Sequence, residues 1–563
     1  MIGPYGNKES NLPDPFQPPL ARVMTARQQR PLQSLNMLLL WLGAAALAGA
    51  VAAIRLGSDA DYDMRKYHVY NGFALIQGRI TSDIDPAKLQ TYFAPGLDLI
   101  YDGLVALLNH HPVLLSAALA LPQGFAWFLT WRLTSRMLPD ETPTRRWLAA
   151  ALTLIGATGA AGISTLSLAM SEMTAISCIL LAILLATAAP NTGWRTLGSG
   201  LLAGLGLGFK LTMAPYVAGL GIAIMLAAGR RHVLDSIRFS IGGLLGAMMT
   251  GGWWWIWLWI RFRNPFFPMF NQIFRSPWIA PVAWTDVRYL PKTWIHAIDY
   301  PLIWALQPKG GLYVGEHPMR DPRVVIGGLA VAVCVGRLLW QRRYPDRKSL
   351  ILLLTWALGY ILWEVRFSIY RYAGTLELLV PPLLAGALAP LLARWRSRRS
   401  IPIILATAIA LTAWTVYPEW GHTGPGPVAI SVHPPDFAPG SLVLLLDNSP
   451  IAYVAAFEPA SVRFVGTNNN LIDPRSPGRL EQLIRDTIRD QRGPIWGLEE
   501  DPATANRTLA AYNLVRGPGC VPVPSNLEVI PIRACPLIRT SAPPPRQTAP
   551  SPPAPARAAS VPR

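Results

Sequence analysis

Residues able to do chemistry crowd one short stretch, Asp59 to Arg79, which reads D-A-D-Y-D-M-R-K-Y-H-V-Y-N-G-F-A-L-I-Q-G-R directly after the first long apolar run. Asp59, Asp61 and Asp63 alternate, so an extended backbone would turn their carboxylates to one side, where Asp59 and Asp61 could share a divalent ion. The alternative is that the acids are solvated and cap a helix starting near Met64. A calcium loop is excluded, because its sixth position is Met64 rather than glycine and its twelfth Tyr70 rather than glutamate. Tyr67, His68, Tyr70 and Asn71 add hydrogen-bonding and stacking groups for a sugar, although packing of an aromatic helix face explains the tyrosines equally. His110 and His111 are neighbours facing different ways on a helix and do not read as a metal site.

The elements that position this stretch belong to a membrane protein. Of 563 residues, 51% are hydrophobic and 15% charged, a balance unlike that of a soluble enzyme. The net charge of +18 does not point to nucleic acid, because the arginines cluster between apolar runs, where the positive-inside rule accounts for them. Residues 1 to 35 read as a disordered cytoplasmic tail. Met37 to Ile54 supplies about 18 apolar residues, enough for an uncleaved anchor. Further spans are expected at roughly 113 to 131, 147 to 164, 173 to 189, 197 to 210, 212 to 229, 239 to 260, 324 to 340, 350 to 365, 373 to 392 and 401 to 417, about eleven in all.

Alternate gaps are basic, which sets a cytoplasmic N-terminus and places three polar regions outside: 56 to 112, 262 to 322, and everything after Pro418. Ala94 to Asn109, with Asp98 and Asp102 on one helical face, is expected on the outer interface, and Lys210, joining two short segments, toward the outer face. A D-x-D site for nucleotide sugars is excluded, since those sugars are cytoplasmic and the acidic loop is not. The run Trp253, Trp254, Trp255, Trp257 and Trp259 reads as a headgroup anchor.

Residues 418 to 541 alternate β-type runs (Ser441 to Leu446, Val462 to Val465) with a helical stretch (Arg479 to Asp490), as in a small α/β domain. No phosphate-cradling glycine motif, nucleophile elbow or zinc spacing occurs there, so a cap over the outer face is the expected role. Cys520 and Cys535 share this region and are expected to form a disulfide, whereas Cys178 and Cys334 sit in apolar runs. The proline, alanine and arginine stretch 542 to 563 reads as disordered.

The motif D-x-x-x-Y-H-x-Y-N that begins at Asp63, followed by Leu89-Gln90-Thr91-Tyr92-Phe93, resembles the GT-C superfamily of polytopic membrane glycosyltransferases, among its bacterial members. Further matches are Ser171-Glu172, Gly208-Phe209-Lys210-Leu211-Thr212, and Arg261 to Pro268 with Asn264, Asn271 and Ser276-Pro277. Glu316, Arg320, Asp321 and Arg323, then Phe367 to Tyr372, complete the set, which covers most of residues 37 to 417. Lys66 and Arg263 depart from the pattern, which often carries a neutral residue and a glycine there.

The resemblance implies a transferase of the bacterial cytoplasmic membrane. It would pass a sugar from a polyprenyl-phosphate donor to a cell-envelope glycan, lipid or protein on the extracytoplasmic side. A hydroxyl nucleophile needs a carboxylate to take its proton, and a leaving phosphate needs fixed positive charge. Asp63 is then the candidate base and Glu172 its assistant, or a capping glutamate. Lys210 and Arg371 are candidate phosphate clamps, and Tyr67, His68, Asn71, Asn264 and Glu316 candidate substrate contacts. The rival reading is a transporter or flippase of a lipid-linked or anionic substrate. Such proteins are usually built from repeated halves, and the sequence shows no convincing internal repeat.

Overall fold

The computed structural model describes residues 19–540 apart from 140–143, 171, 308–316, 343, 395–396, 469–470 and 472–477. Five helices are long and apolar enough to cross a membrane: Leu35–Leu56, Pro112–Met137, Arg323–Gln341, Arg347–Arg366 and Tyr370–Leu392. Glu172–Ala186, Leu211–Ala227 and Ser400–Trp414 are shorter apolar helices. Helices Arg145–Ala157, Gly193–Phe209 and His232–Ala247 fall on the remaining expected positions. The protein is a multi-pass helical bundle, and among the described residues five of its helices have the length and composition to cross a membrane unaided. The first helix runs Pro19–Leu56, so helix precedes the apolar run. Its good helix formers, Leu20, Ala21, Met24, Arg27 and Gln28, account for this.

Close helix packing positions Lys210. Helix Gly193–Phe209 lies against His232–Ala247 through glycines: a Cβ on Gly200 would fall 2.1 Å from the Phe239 carbonyl oxygen, and one on Gly204 2.0 Å from that of Gly243. Small residues let two backbones meet in this way inside a membrane. The helix then stops and Lys210 is extended, at φ −146° and ψ 115°. A single 3₁₀ turn, Leu211–Met213, leads into Ala214–Ala227.

The C-terminal region carries a six-stranded mixed sheet. Two short strands elsewhere, β1 (Ser58–Asp59) and β2 (His422–Thr423), pair antiparallel. The sheet itself contains β3 (Leu442–Leu445), β4 (Arg463–Gly466), β5 (Ile495–Glu499), β6 (Leu514–Arg516), β7 (Val521–Pro522) and β8 (Arg533–Arg539). Its order is β4-β3-β5-β8-β6, with β7 also on β8, and β3 pairs in parallel with both β4 and β5. Helix Arg479–Asp490 joins β4 to β5, and a disulfide links Cys520 to Cys535 of β8.

The acidic loop is built into this region. Met64, Tyr67 and Tyr70 share one apolar core with Val443, Leu445 and Phe464. Ile84 forms a parallel bridge to Val465, and Arg79 donates to the carbonyls of Glu458 (2.9 Å) and Pro459 (3.1 Å).

Candidate active site

Asp59 lies in β1, and its carboxylate accepts from the Asp61 amide (3.0 Å) and the Ala169 amide (2.6 Å). Asp61 Oδ1 accepts from the Asp63 and Met64 amides, the latter at 3.0 Å, and so caps the helical segment that begins at Tyr62 and runs on into the π-helical turn Met64–His68. The carboxylates therefore do not point one way along an extended strand, because the chain turns at Asp61. Capping is what Asp61 does, but inside the protein rather than in solvent, since Asp59, Asp61 and Asp63 are all buried. No group of three potential metal ligands occurs among the described residues, and the Asp59 carboxylate is engaged by two backbone amides.

Burial pushes Asp59 up to about 6 and raises Asp61 as well, the latter helped by its acidic neighbours. Asp63 moves the other way: burial would raise it, but Arg371, His68 and Lys210 outweigh that and hold it below the usual carboxylate range.

Asp63 precedes the turn and meets Arg371, whose Nη1 donates to its Oδ2 at 2.8 Å. Arg371 sits in the 3₁₀ turn Tyr370–Ala373, after helix Arg347–Arg366. Its Nη2 donates to the Tyr372 hydroxyl (3.1 Å), and its guanidinium lies 5.5 Å from the Trp420 ring centre. Lys210 donates to the Met170 carbonyl at 2.7 Å and to Glu172 Oε1 at 2.5 Å. Met170 joins the two pairs, because its sulfur lies 3.8 Å from Arg371 Nη1. Four distant segments thus deliver two carboxylates and two cations to one place. Glu172 is the most enclosed of these side chains, at 2% exposure, while Arg371 and Lys210 retain 18% each.

Beside Glu172 opens a cavity of about 340 Å³, walled by Leu97, Ile100, Leu104 and Met173, with Gln123 and Glu172 among its polar lining. Among the described residues, the buried amide atoms of Gln123 and Oε2 of Glu172 have no protein partner there.

The other expected contacts are engaged with protein partners. His68 Nδ1 is 2.6 Å from Asp98 Oδ1, Tyr67 packs edge-on against Phe93, and Asn71 donates to the Gln90 carbonyl at 3.0 Å. All three are buried and dock the acidic loop onto helix Gly96–Leu108 and the turn before it. Asn264 is fully buried and folds its own loop, donating to the Met269 carbonyl (2.9 Å) and accepting from the Phe266 amide (3.0 Å). Arg263 before it adopts φ +58°, which explains why glycine suits that helix end. Glu316 and Ser171 lie outside the described residues.

Sequence reasoning missed the partners: Met170, Trp420, and a second buried cluster that shapes the neighbouring loop. Asp321 pairs with Arg323 at 2.9 Å and accepts from the Ala160 amide at 2.7 Å. Glu377 accepts from the amides of Ala161 (2.9 Å) and Gly162 (3.1 Å). Only the Asp321 and Arg323 half was visible in the sequence motif.

No protein-family model matches the sequence, and no curated protein matches it. The structure is similar to the crystal structure of ArnT from Cupriavidus metallidurans bound to undecaprenyl phosphate, with a TM-score of 0.50 and 13% identity over 88% of this chain and 97% of that one. The fold is ArnT-like, the architecture that the sequence resemblance implies. Two structures of the Archaeoglobus fulgidus oligosaccharyltransferase also align. One, in complex with zinc and sulfate, has a TM-score of 0.44 and 13% identity over 80% of this chain and 67% of that one. The other, with an inhibitory peptide and a dolichol-phosphate, has a TM-score of 0.40 and 12% identity over 84% and 71%. Within this fold, Asp63, Glu172, Lys210 and Arg371 are the sequence-derived candidates that converge, whereas Asn264 hydrogen-bonds within its own loop.

Proposed function

We propose that this protein is a glycosyltransferase of the bacterial cytoplasmic membrane that moves a sugar from a polyprenyl-phosphate donor to an envelope glycan, lipid or protein on the extracytoplasmic side. The observation that carries the reading is the Asp63–Arg371 pair set beside Lys210 on Met170. A carboxylate and two cations of that kind meet the demands of displacing a phosphate with a hydroxyl.

In this reading the acceptor oxygen attacks the anomeric carbon, the bond from that carbon to the phosphate oxygen breaks, and polyprenyl phosphate departs with the bonding pair. Asp63 takes the acceptor's proton. Arg371 and Lys210 neutralise the leaving phosphate, and Glu172 keeps Lys210 aimed at it. Arg371 also sets the timing. While it is bonded to Asp63 it keeps that carboxylate a weak base, and a donor phosphate that draws it away raises the basicity of Asp63 as the proton must be accepted. The apolar cavity beside Glu172 suits the isoprenoid part of such a donor.

The test compares envelope glycans and lipid-linked sugars in a deletion strain complemented with wild type or Asp63→Asn. Loss of the modified glycan with accumulation of lipid-linked sugar is the expected result. Full modification by the variant at normal expression overturns the reading.

A further inference from the structure

The C-terminal sheet contains a reversal of winding. From β3 the chain passes first to β4 on one side and then to β5 on the other, all three strands running parallel. In sheets so wound, ligands bind in the crevice outside the carboxyl ends of the strands at the reversal. Asp447, Asn448 and Ser449 follow β3 at that point, and Glu500 and Asp501 follow β5. Asp447 ties the two sides together, accepting from the Glu500 amide at 2.7 Å and the Asp501 amide at 2.8 Å.

A residue of the same chain already sits on this ledge. Lys66 Nζ donates to the Asn448 carbonyl (2.9 Å), the Asn448 side-chain oxygen (3.1 Å) and the Ser449 carbonyl (3.3 Å), so its three protons meet three acceptors. The side chain is 1% exposed, and a buried ammonium deprived of those acceptors would be strongly destabilising. Lys66 lies in the turn Met64–His68 that Asp63 precedes. Tyr62, on the other side of Asp63, donates to the same Asn448 carbonyl at 3.3 Å, and β1 pairs with β2 just before it. Asp63 is therefore bracketed by anchors, and those on both sides reach the region after the last apolar helix.

We propose that Lys66 is a positioning residue and that the Asn448–Ser449 turn is its receptor. The C-terminal region uses the crevice where related sheets hold a ligand to hold the Asp63 turn in register with Arg371. This rests on the reading of Asp63 as the proton acceptor.

The test uses the full-length protein in nanodiscs, with Lys66→Met, Asn448→Ala and the double variant. Hydrogen–deuterium exchange of residues 61 to 70 should quicken about ten-fold in Lys66→Met and about three-fold in Asn448→Ala, with the membrane helices unchanged. The double variant should be no worse than Lys66→Met, because both act through one contact. Glycan modification in cells should fall about ten-fold in Lys66→Met, while the Kd for undecaprenyl phosphate stays within about three-fold, since Lys210 and Arg371 are untouched. Unchanged exchange in residues 61 to 70, or faster exchange spread through the membrane helices with weakened lipid binding, overturns the proposal. Asp63→Asn separates the two readings: if it keeps full modification the catalytic reading fails, while the exchange data still decide whether Lys66 anchors the turn.

Discussion

Arg371 Nη1 lies 2.8 Å from Asp63 Oδ2 across 308 residues of chain. The pair sits where neither charge is fully hydrated, so each partner sets the properties of the other. Asp63→Asn keeps the shape and one acceptor but cannot take a proton, and transfer should fall by about 10²–10⁴-fold. Analysis of envelope glycans against protein level measures this, and Asp63→Glu should restore part of the loss.

Removing the cations should act on lipid binding. Lys210→Met and Arg371→Met each delete charge-assisted bonds of about 1.5–3 kcal/mol, so the Kd for undecaprenyl phosphate should rise roughly ten-fold or more. Lys210→Met also strands Glu172, which is almost fully enclosed. Adding Glu172→Gln should recover thermal stability without recovering affinity, a split that calorimetry and lipid titration read separately.

Acidity gives a signed prediction. Asp59 is raised by burial from the ordinary 3.8 to about 6, so the folded protein keeps a proton that the unfolded chain releases. That contribution is complete below 3.8 and is lost as pH rises to about 6. The depressed Asp63 has the opposite sign, adding stability above its unfolded value that is lost as pH falls below 3.8. Tm scans of the purified protein should show Asp59→Asn flattening the loss between pH 4 and pH 6.

The disulfide between Cys520 and Cys535 spans 15 residues, and Cys535 is wholly buried. Closure of a loop of that length contributes about 3 kcal/mol through the unfolded state. Paired serine variants should therefore lower the unfolding free energy of the C-terminal region by about that amount, measurable by denaturant-dependent hydrogen–deuterium exchange of β5 and β8.

Gly159 faces Glu377 so closely that an added Cβ would lie 2.1 Å from Oε2, and that carboxylate is pinned by two amides. Gly159→Ala should destabilise the loop beside Arg371 and lower Tm, whereas Glu377→Gln, which keeps an acceptor, should be milder.

The sequence made the helices legible because apolar runs and their lengths are local signals. Helix Arg479–Asp490 and the strands around Leu442 and Phe464 were readable for the same reason. The convergence of Asp63, Glu172, Lys210 and Arg371 came from motif resemblance, since no periodicity links residues so far apart. The partners were not legible. His68 meets Asp98 and Lys66 meets Asn448 through loops whose course depends on tertiary contacts, and the bonds that Asn264 makes within its own loop leave no local signature in the sequence. The alternation of Asp59, Asp61 and Asp63 misled for a further reason: Asp61 bonds its own backbone and ends the extended stretch that the alternation presumed.

The pairing of β1 with β2 has a consequence for biogenesis. The acidic loop leaves the ribosome after the first apolar helix, but its partner strand is made only after the last, Ser400–Trp414. Throughout the insertion of the intervening helices the loop has no strand to pair with. A chain halted before His422 would lack the strand that β1 pairs with, so the acidic loop can complete its docking only after the region beyond Ser400–Trp414 has been made.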